Sequence, residues 1–269
     1  DPENTGNSIL HVWCDPERLF FPGTGSELWT TAVPLARHMA TLIDDMFAES
    51  PGRPPLKVLE LGAGCGALGS WLWQRCFPHV HICLTDLPRL CPLLRMNADV
   101  AHAAVRGRNV EPLPDTIEAT LGVRPLRWGV FEDLKQFQGE SWDLVIGSDI
   151  CYNPGKVKPL MATIEELQPR LGAILSLGLC AIRASGAWSL EDVCRETEWK
   201  WQEISSEADA EGNETLLVQV EPSGVYRHIS DRQLRRLLRQ CEEIKSLIAS
   251  ASALDENDSN RLQKLCRSL

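Results

Sequence analysis

Short apolar blocks recur along this chain at residues 56–61, 80–85, 142–148 and 173–180. Each is followed by a stretch whose apolar positions lie three and four apart. Blocks of that length predict buried strands, and the stretches after them predict amphipathic helices. The expected order is helix 28–47, strand 56–61, helix 66–76, strand 80–85, helix 90–104 and strand 125–128. A helical turn over 131–137, strand 142–148, helix 156–168, strand 173–180 and helix 190–198 follow. Strand–helix repetition of this kind implies a parallel sheet with helices on both faces. Residues 106–123 read as an irregular insert with a short helix after Pro114, and residues 9–13 as a short strand.

The pattern then changes. Residues 199–204 and 215–220 predict two strands joined by the polar loop 205–214, an antiparallel hairpin. Beyond it, Ser230-Asp231-Arg232-Gln233 reads as a capping box. Leu234, Leu237, Leu238, Cys241, Ile244 and Ile248 form one helical stripe, and Leu262, Leu265, Cys266 and Leu269 a second. Arg235, Arg236 and Arg239 read as the solvated face of that first helix. The expected organisation is an N-terminal segment and helix (1–55), a core (56–222) and a C-terminal helical extension (223–269). The extension docks on its own core or on a partner.

Composition narrows the function classes. The 269 residues carry a net charge of −10, which disfavours general nucleic-acid binding. The longest apolar run, residues 171–182, is too short for a membrane helix, and no signal segment opens the chain. The chain starts on Asp1 rather than Met, so a missing N-terminal stretch is expected. The ten cysteines include no Cys-x-x-Cys pair, which points to a reducing compartment, cytoplasmic or nuclear, and away from a zinc site. His79 and His81 share a strand face but have no third ligand nearby in the sequence.

The densest chemistry lies at Glu60-Leu61-Gly62-Ala63-Gly64-Cys65-Gly66. A strand runs into a glycine turn that lets a ligand approach the backbone, and a helix follows. Gly64, Gly66 and Gly69 also fit a dinucleotide fingerprint, with Asp86 about 20 residues beyond the turn. Glu60 separates the two cofactor classes. Its carboxylate would repel a pyrophosphate and attract a donor carrying an ammonium and a sulfonium. S-adenosyl-L-methionine (SAM) is such a donor.

The order Glu60-x-Gly62-x-Gly64-x-Gly66, Thr85-Asp86-Leu87, Trp128-Gly129 and Asp143 to Tyr152 resembles methyltransferase family 16. The resemblance covers about residues 25–220, and Asp149-x-x-Tyr152 is its most specific element. It implies a class I, Rossmann-like α/β fold with a seven-strand sheet ending in an antiparallel hairpin. It also implies SAM-dependent methylation of a protein side-chain nitrogen, most often lysine. Thr30 stands after Trp29 where the family often has proline, and the helices after Arg227 have no counterpart in the family.

Roles follow from chemistry and from that resemblance. Glu60 is expected to hold the methionine ammonium, and Gly62, Gly64 and Gly66 to pass beneath the methionine and ribose. Asp86 is expected to accept from the ribose hydroxyls, with Leu87 beside it. Trp128, at the end of strand 125–128, would stack on adenine; plain core packing is the alternative. Trp29 is expected to close the pocket from the N-terminal side, again with core packing as the alternative, and Ser148 to add backbone contacts. Asp149 and Tyr152 are the expected catalytic pair; helix capping and core packing are their alternative. Asn97 reads as a surface or packing position, Trp71 and Trp73 as helix packing, and Trp188, Trp199 and Trp201 as core or hairpin packing. A protein substrate is expected, with no nucleic acid and no membrane. Competing functions are a small-molecule or histidine N-methyltransferase, a SAM-binding scaffold with a partner on its C-terminal helices, and an NAD oxidoreductase. Glu60 and the terminal hairpin disfavour the last.

Overall fold

The computed structural model describes residues 10–21, 23–107, 120–178, 199–209 and 212–221. The chain divides into two units, Asp1–Ser223 and Gly224–Leu269, and the second lies outside the described residues. The predicted C-terminal helices, helix 190–198 and the short helix after Pro114 also fall outside them.

Seven strands form one sheet: β1 (Leu56–Leu61), β2 (Val80–Asp86), β3 (Leu121–Pro125), β4 (Leu144–Ser148), β5 (Ala173–Gly178), β6 (Lys200–Ala208) and β7 (Glu214–Glu221). Their order is β3-β2-β1-β4-β5-β7-β6. The first five pair in parallel, and β7 joins β5 and β6 antiparallel. This is the expected class I methyltransferase sheet. Helices α1 (Ala32–Glu49), α2 (Ala67–Cys76), α3 (Cys91–Arg106), α4 (Phe131–Leu134) and α5 (Pro154–Leu167) accompany it.

Strand period puts successive side chains on opposite faces. In β1, Leu59 and Leu61 enter the core packed with Val157, Leu160 and Ile164 of α5. Leu56 and Val58 enter the other core, beneath α1, α2 and α3. Glu60 is in register with Leu56 and Val58, so a carboxyl group falls on an apolar face under α2. The chain steps from β1 outward to β2 and β3, then back across to β4. That reversal opens a crevice at the carboxyl ends of β1 and β4, where open α/β sheets bind ligands.

Three predicted boundaries need correction. The strand expected over 125–128 lies at Leu121–Pro125, inside what read as an irregular insert. β3 pairs with β2 from Ile82 to Asp86, and pairing ends with Pro125 opposite Asp86. Proline supplies no ladder donor and fits a strand end. Trp128 therefore lies three residues past the strand. The helix expected from residue 28 starts at Ala32. Pro34 accounts for this, since its missing N–H is tolerated only in a first turn. The hairpin strands run longer than predicted, and the turn between Ala208 and Glu214 is fastened by the Asp209 carboxylate accepting from the Asn213 amide at 2.8 Å. Residues 10–13 form no strand.

Candidate cofactor and active site

A cavity of about 600 Å³ opens at the carboxyl ends of β1, β2 and β4. Glu60, Gly62, Gly64, Asp86 and Leu87 line it, as do Trp29, Trp128, Ser148, Asp149 and Tyr152. Of the expected cofactor-binding and catalytic residues, Gly66 alone is not on the wall. It starts α2 in a left-handed conformation (φ 77°), and a Cβ there would lie 2.8 Å from a Leu94 methyl.

Glu60 is the least conventional group in the site. It is 2% exposed, and its Oε2 has no hydrogen-bond partner. Burial pushes the carboxyl up to about 8; the Gly69 amide opposes this and the Asp86 charge adds to it. Gly69 is needed here, because a Cβ on it would collide with Glu60 Oε2 and Leu84. A buried carboxylate oxygen without a donor is costly unless a ligand supplies one. An ammonium group does so with charge. The residues present thus fit a cationic amino-acid moiety, and they do not fit a pyrophosphate.

The glycine turn is held from two sides. The Gly64 amide donates to Asp86 Oδ2 at 2.8 Å, and the Leu87 amide to Asp86 Oδ1 at 2.6 Å. Burial raises the Asp86 carboxyl, while those amides and Arg89 oppose the shift. Each oxygen keeps a lone pair for one more donor. Gly64 has φ 60°, and a Cβ on it would stand 2.7 Å from the Gly25 carbonyl oxygen. Gly64→Ala is therefore expected to cost roughly 1–3 kcal/mol of stability and to impair ligand binding. Urea unfolding and calorimetry on the same preparation check both.

The rim comes from the N-terminal segment. Thr24 Oγ1 and the Tyr152 hydroxyl share a hydrogen bond of 3.3 Å, and Trp29 Nε1 donates to the Thr24 carbonyl at 3.0 Å. Thr31 Oγ1 and Ser148 Oγ lie 2.9 Å apart, joining the start of α1 to the end of β4. Asp149 follows with φ 53°, an uncommon conformation for a residue other than glycine. Its Oδ1 accepts from the Gly178 amide at 3.3 Å. Burial raises the Asp149 carboxyl, and the Gly178 amide opposes that. Tyr152 is 46% exposed, just ahead of α5, so it is not a core residue. The helix cap there is Asn153, whose Oδ1 accepts from the Gly155 amide, so Asp149 does not cap α5.

Two residues that sequence reasoning passed over hold this rim. Asp15 accepts backbone amides from Leu19, Phe20 and Phe21 at 2.7–3.1 Å. Burial would raise its carboxyl, but the three amides outweigh that and hold it below its ordinary value. Its backbone exchanges bonds with Ser26. Asn97, read from sequence as a surface or packing position, is fully buried. Its Oδ1 accepts from the Trp13 amide at 2.7 Å, and its Nδ2 donates to the carbonyls of Trp13 (3.0 Å) and Cys65 (2.7 Å). Asn97→Leu would strand these backbone groups. It should cost roughly 2–4 kcal/mol in chemical denaturation. Among the described residues no cluster could hold a metal ion, and no helix is long and apolar enough to cross a membrane.

Comparison with known proteins places this architecture. The sequence profile of a family described as lysine methyltransferase matches residues 14–181. A UPF0665 family protein of Schizosaccharomyces pombe is 25% identical over 143 residues, 53% of this chain and 38% of that protein. The chain thus spans little more than a third of that relative's length. Among solved structures, cofactor-bound Rv0187 from MTB is similar at 16% identity and TM-score 0.47, covering 73% of this chain and 83% of that one. P. horikoshii TYW2 in complex with MeSAdo is similar at 13% identity and TM-score 0.43, covering 73% and 65%. The profile covers more than half of the 269 residues. This chain belongs to the lysine methyltransferase family, a family of enzymes whose methyl donor is S-adenosyl-L-methionine.

Proposed function

We propose that this protein methylates the side-chain nitrogen of a lysine in another protein. The observation that carries this reading is one cavity with two chemically distinct sets of groups. Buried Glu60 and amide-held Asp86 suit the amino-acid and ribose parts of SAM. Asp149, Tyr152 and Trp29 suit an entering alkylammonium.

Bound SAM supplies a methyl group on a cationic sulfur. The residues of the chain do the rest. Glu60 binds the amino-acid ammonium, and Asp86 orients the ribose through the acceptor positions its amide partners leave. Trp128, half-buried against the α5-side core, offers its face to adenine. The incoming lysine arrives protonated, with an ordinary pKa of about 10.4. Asp149 draws in that charge and fixes its direction. Tyr152 and Trp29 wall the aliphatic stem, and their rings favour a cationic head nearby. The amine must lose a proton before it can attack, because an ammonium has no lone pair. Positioning a neutral amine in line with the methyl group contributes several kcal/mol, up to roughly 7–11 in the best cases.

The test is transfer of labelled methyl from SAM into proteins of a cell lysate, followed by mass spectrometry of the labelled band. Label on lysine supports the proposal. Label confined to histidine or to small molecules refutes it.

A further inference from the structure

Cys65 sits in the glycine turn, is buried and lines the cavity. Cys14, in the N-terminal segment, is the one exposed cysteine among the described residues. Asn97 brings the two residues together: its single side chain bonds the backbone of Trp13, next to Cys14, and of Cys65 itself. The backbone is thus fixed on both sides of the pair, and the two cysteine side chains interact.

We propose that Cys14 and Cys65 form a reversible disulfide that ties the N-terminal segment to the glycine turn and weakens SAM binding. The disulfide oxidant is a small-molecule disulfide such as glutathione disulfide. The Cys14 thiolate attacks one of its sulfurs and expels one glutathione thiolate, which takes up a proton. Cys65 then gives up its proton and attacks the Cys14 sulfur, expelling the second glutathione. Two protein thiols become one disulfide, and one glutathione disulfide becomes two thiols. Burial pushes Cys65 up to about 12, so exposed Cys14 is the thiol that reacts first and Cys65 closes the bond slowly.

The consequence for binding comes from the turn. Cys65 stands between Gly64 and Gly66 in the turn and lines the cavity, so a cross-link to Cys14 acts directly on the backbone that passes under the cofactor. That backbone is tightly held, since the Gly64 amide is bonded to Asp86 and even a Cβ on Gly64 would meet the Gly25 carbonyl. The effect on affinity rests on the SAM assignment; the cross-link itself does not.

The experiment equilibrates the full chain with glutathione disulfide, blocks remaining thiols and maps peptides without reduction. A Cys14–Cys65 cross-linked peptide is expected, reversed by dithiothreitol and absent from C14S. Calorimetry should show SAM affinity reduced by roughly tenfold or more in the oxidised protein. C14S, exposed and outside the cavity, should bind SAM like the reduced protein under both conditions. Cys14 found only as a glutathione adduct, or joined to another cysteine, would overturn the pairing. Equal affinity of oxidised and reduced protein would overturn the switch. A reduced protein that does not bind SAM would overturn the cofactor assignment and with it the switch, and the cross-linked peptide would still decide the thiol pair.

Discussion

Replacing Glu60 by Gln is expected to lower SAM affinity by about two orders of magnitude or more and to raise the thermal midpoint of the ligand-free protein. The two effects share a cause. Folding moves this carboxyl from its ordinary 4.5 to about 8 because burial disfavours the charged form. The folded state then binds the proton more tightly than the unfolded state. The group's favourable contribution is complete below 4.5 and is lost as pH rises through about 8. Near neutral pH the penalty is roughly 3 kcal/mol. Glutamine carries no such penalty, although its amide needs partners in the same place, so a gain of roughly 1–3 kcal/mol is expected. The gain should widen from mildly acidic pH toward 8. In the native protein, SAM affinity should rise over the same window, because binding an ammonium requires the ionised carboxylate. Thermal unfolding and calorimetry across pH measure both. A Gln variant that is less stable and binds SAM normally would contradict this reading of Glu60.

Asp149→Asn is expected to reduce turnover by about a hundredfold or more while SAM affinity stays within a few-fold. Asparagine is the informative substitution. Residue 149 sits at φ 53°, which Asn tolerates and Ala does not, and the Asn side-chain carbonyl can still accept from Gly178. Only the charge changes. Asp149→Ala should lose as much turnover and in addition about 1–2 kcal/mol of stability from the left-handed backbone. Single-turnover transfer of labelled methyl, with unfolding curves for both variants, separates the two effects. Full turnover in the Asn variant would remove Asp149 from the mechanism.

Much of the fold was legible because local patterns and tertiary demands agree. The β1 block, its glycines and the helix after them carry their signals within about 20 consecutive residues. Strand period alone assigns Glu60 to a buried face. The errors have local causes too. Pro34 sets the start of α1, and Pro125 ends β3 where a strand had been expected to begin. Asn97 was not legible. Its partners lie 84 and 32 residues away, and only the packed chain brings Trp13 and Cys65 to one side chain. The same holds for Asp15, whose role depends on a loop closing back onto its carboxylate. The family resemblance implied that Asp149 and Tyr152 share a site, but it gave no sign of the left-handed backbone at Asp149 or of the tie from Tyr152 to Thr24.

The electrostatic role of Glu60 is tested most directly by comparing S-adenosylhomocysteine with its deaminated analogue in calorimetry against the native protein. The two ligands share adenine, ribose and carboxylate and differ in the ammonium alone. Loss of about two orders of magnitude in affinity on removing the ammonium is predicted. Equal affinities would show that the buried carboxylate does not recognise the donor's amino group.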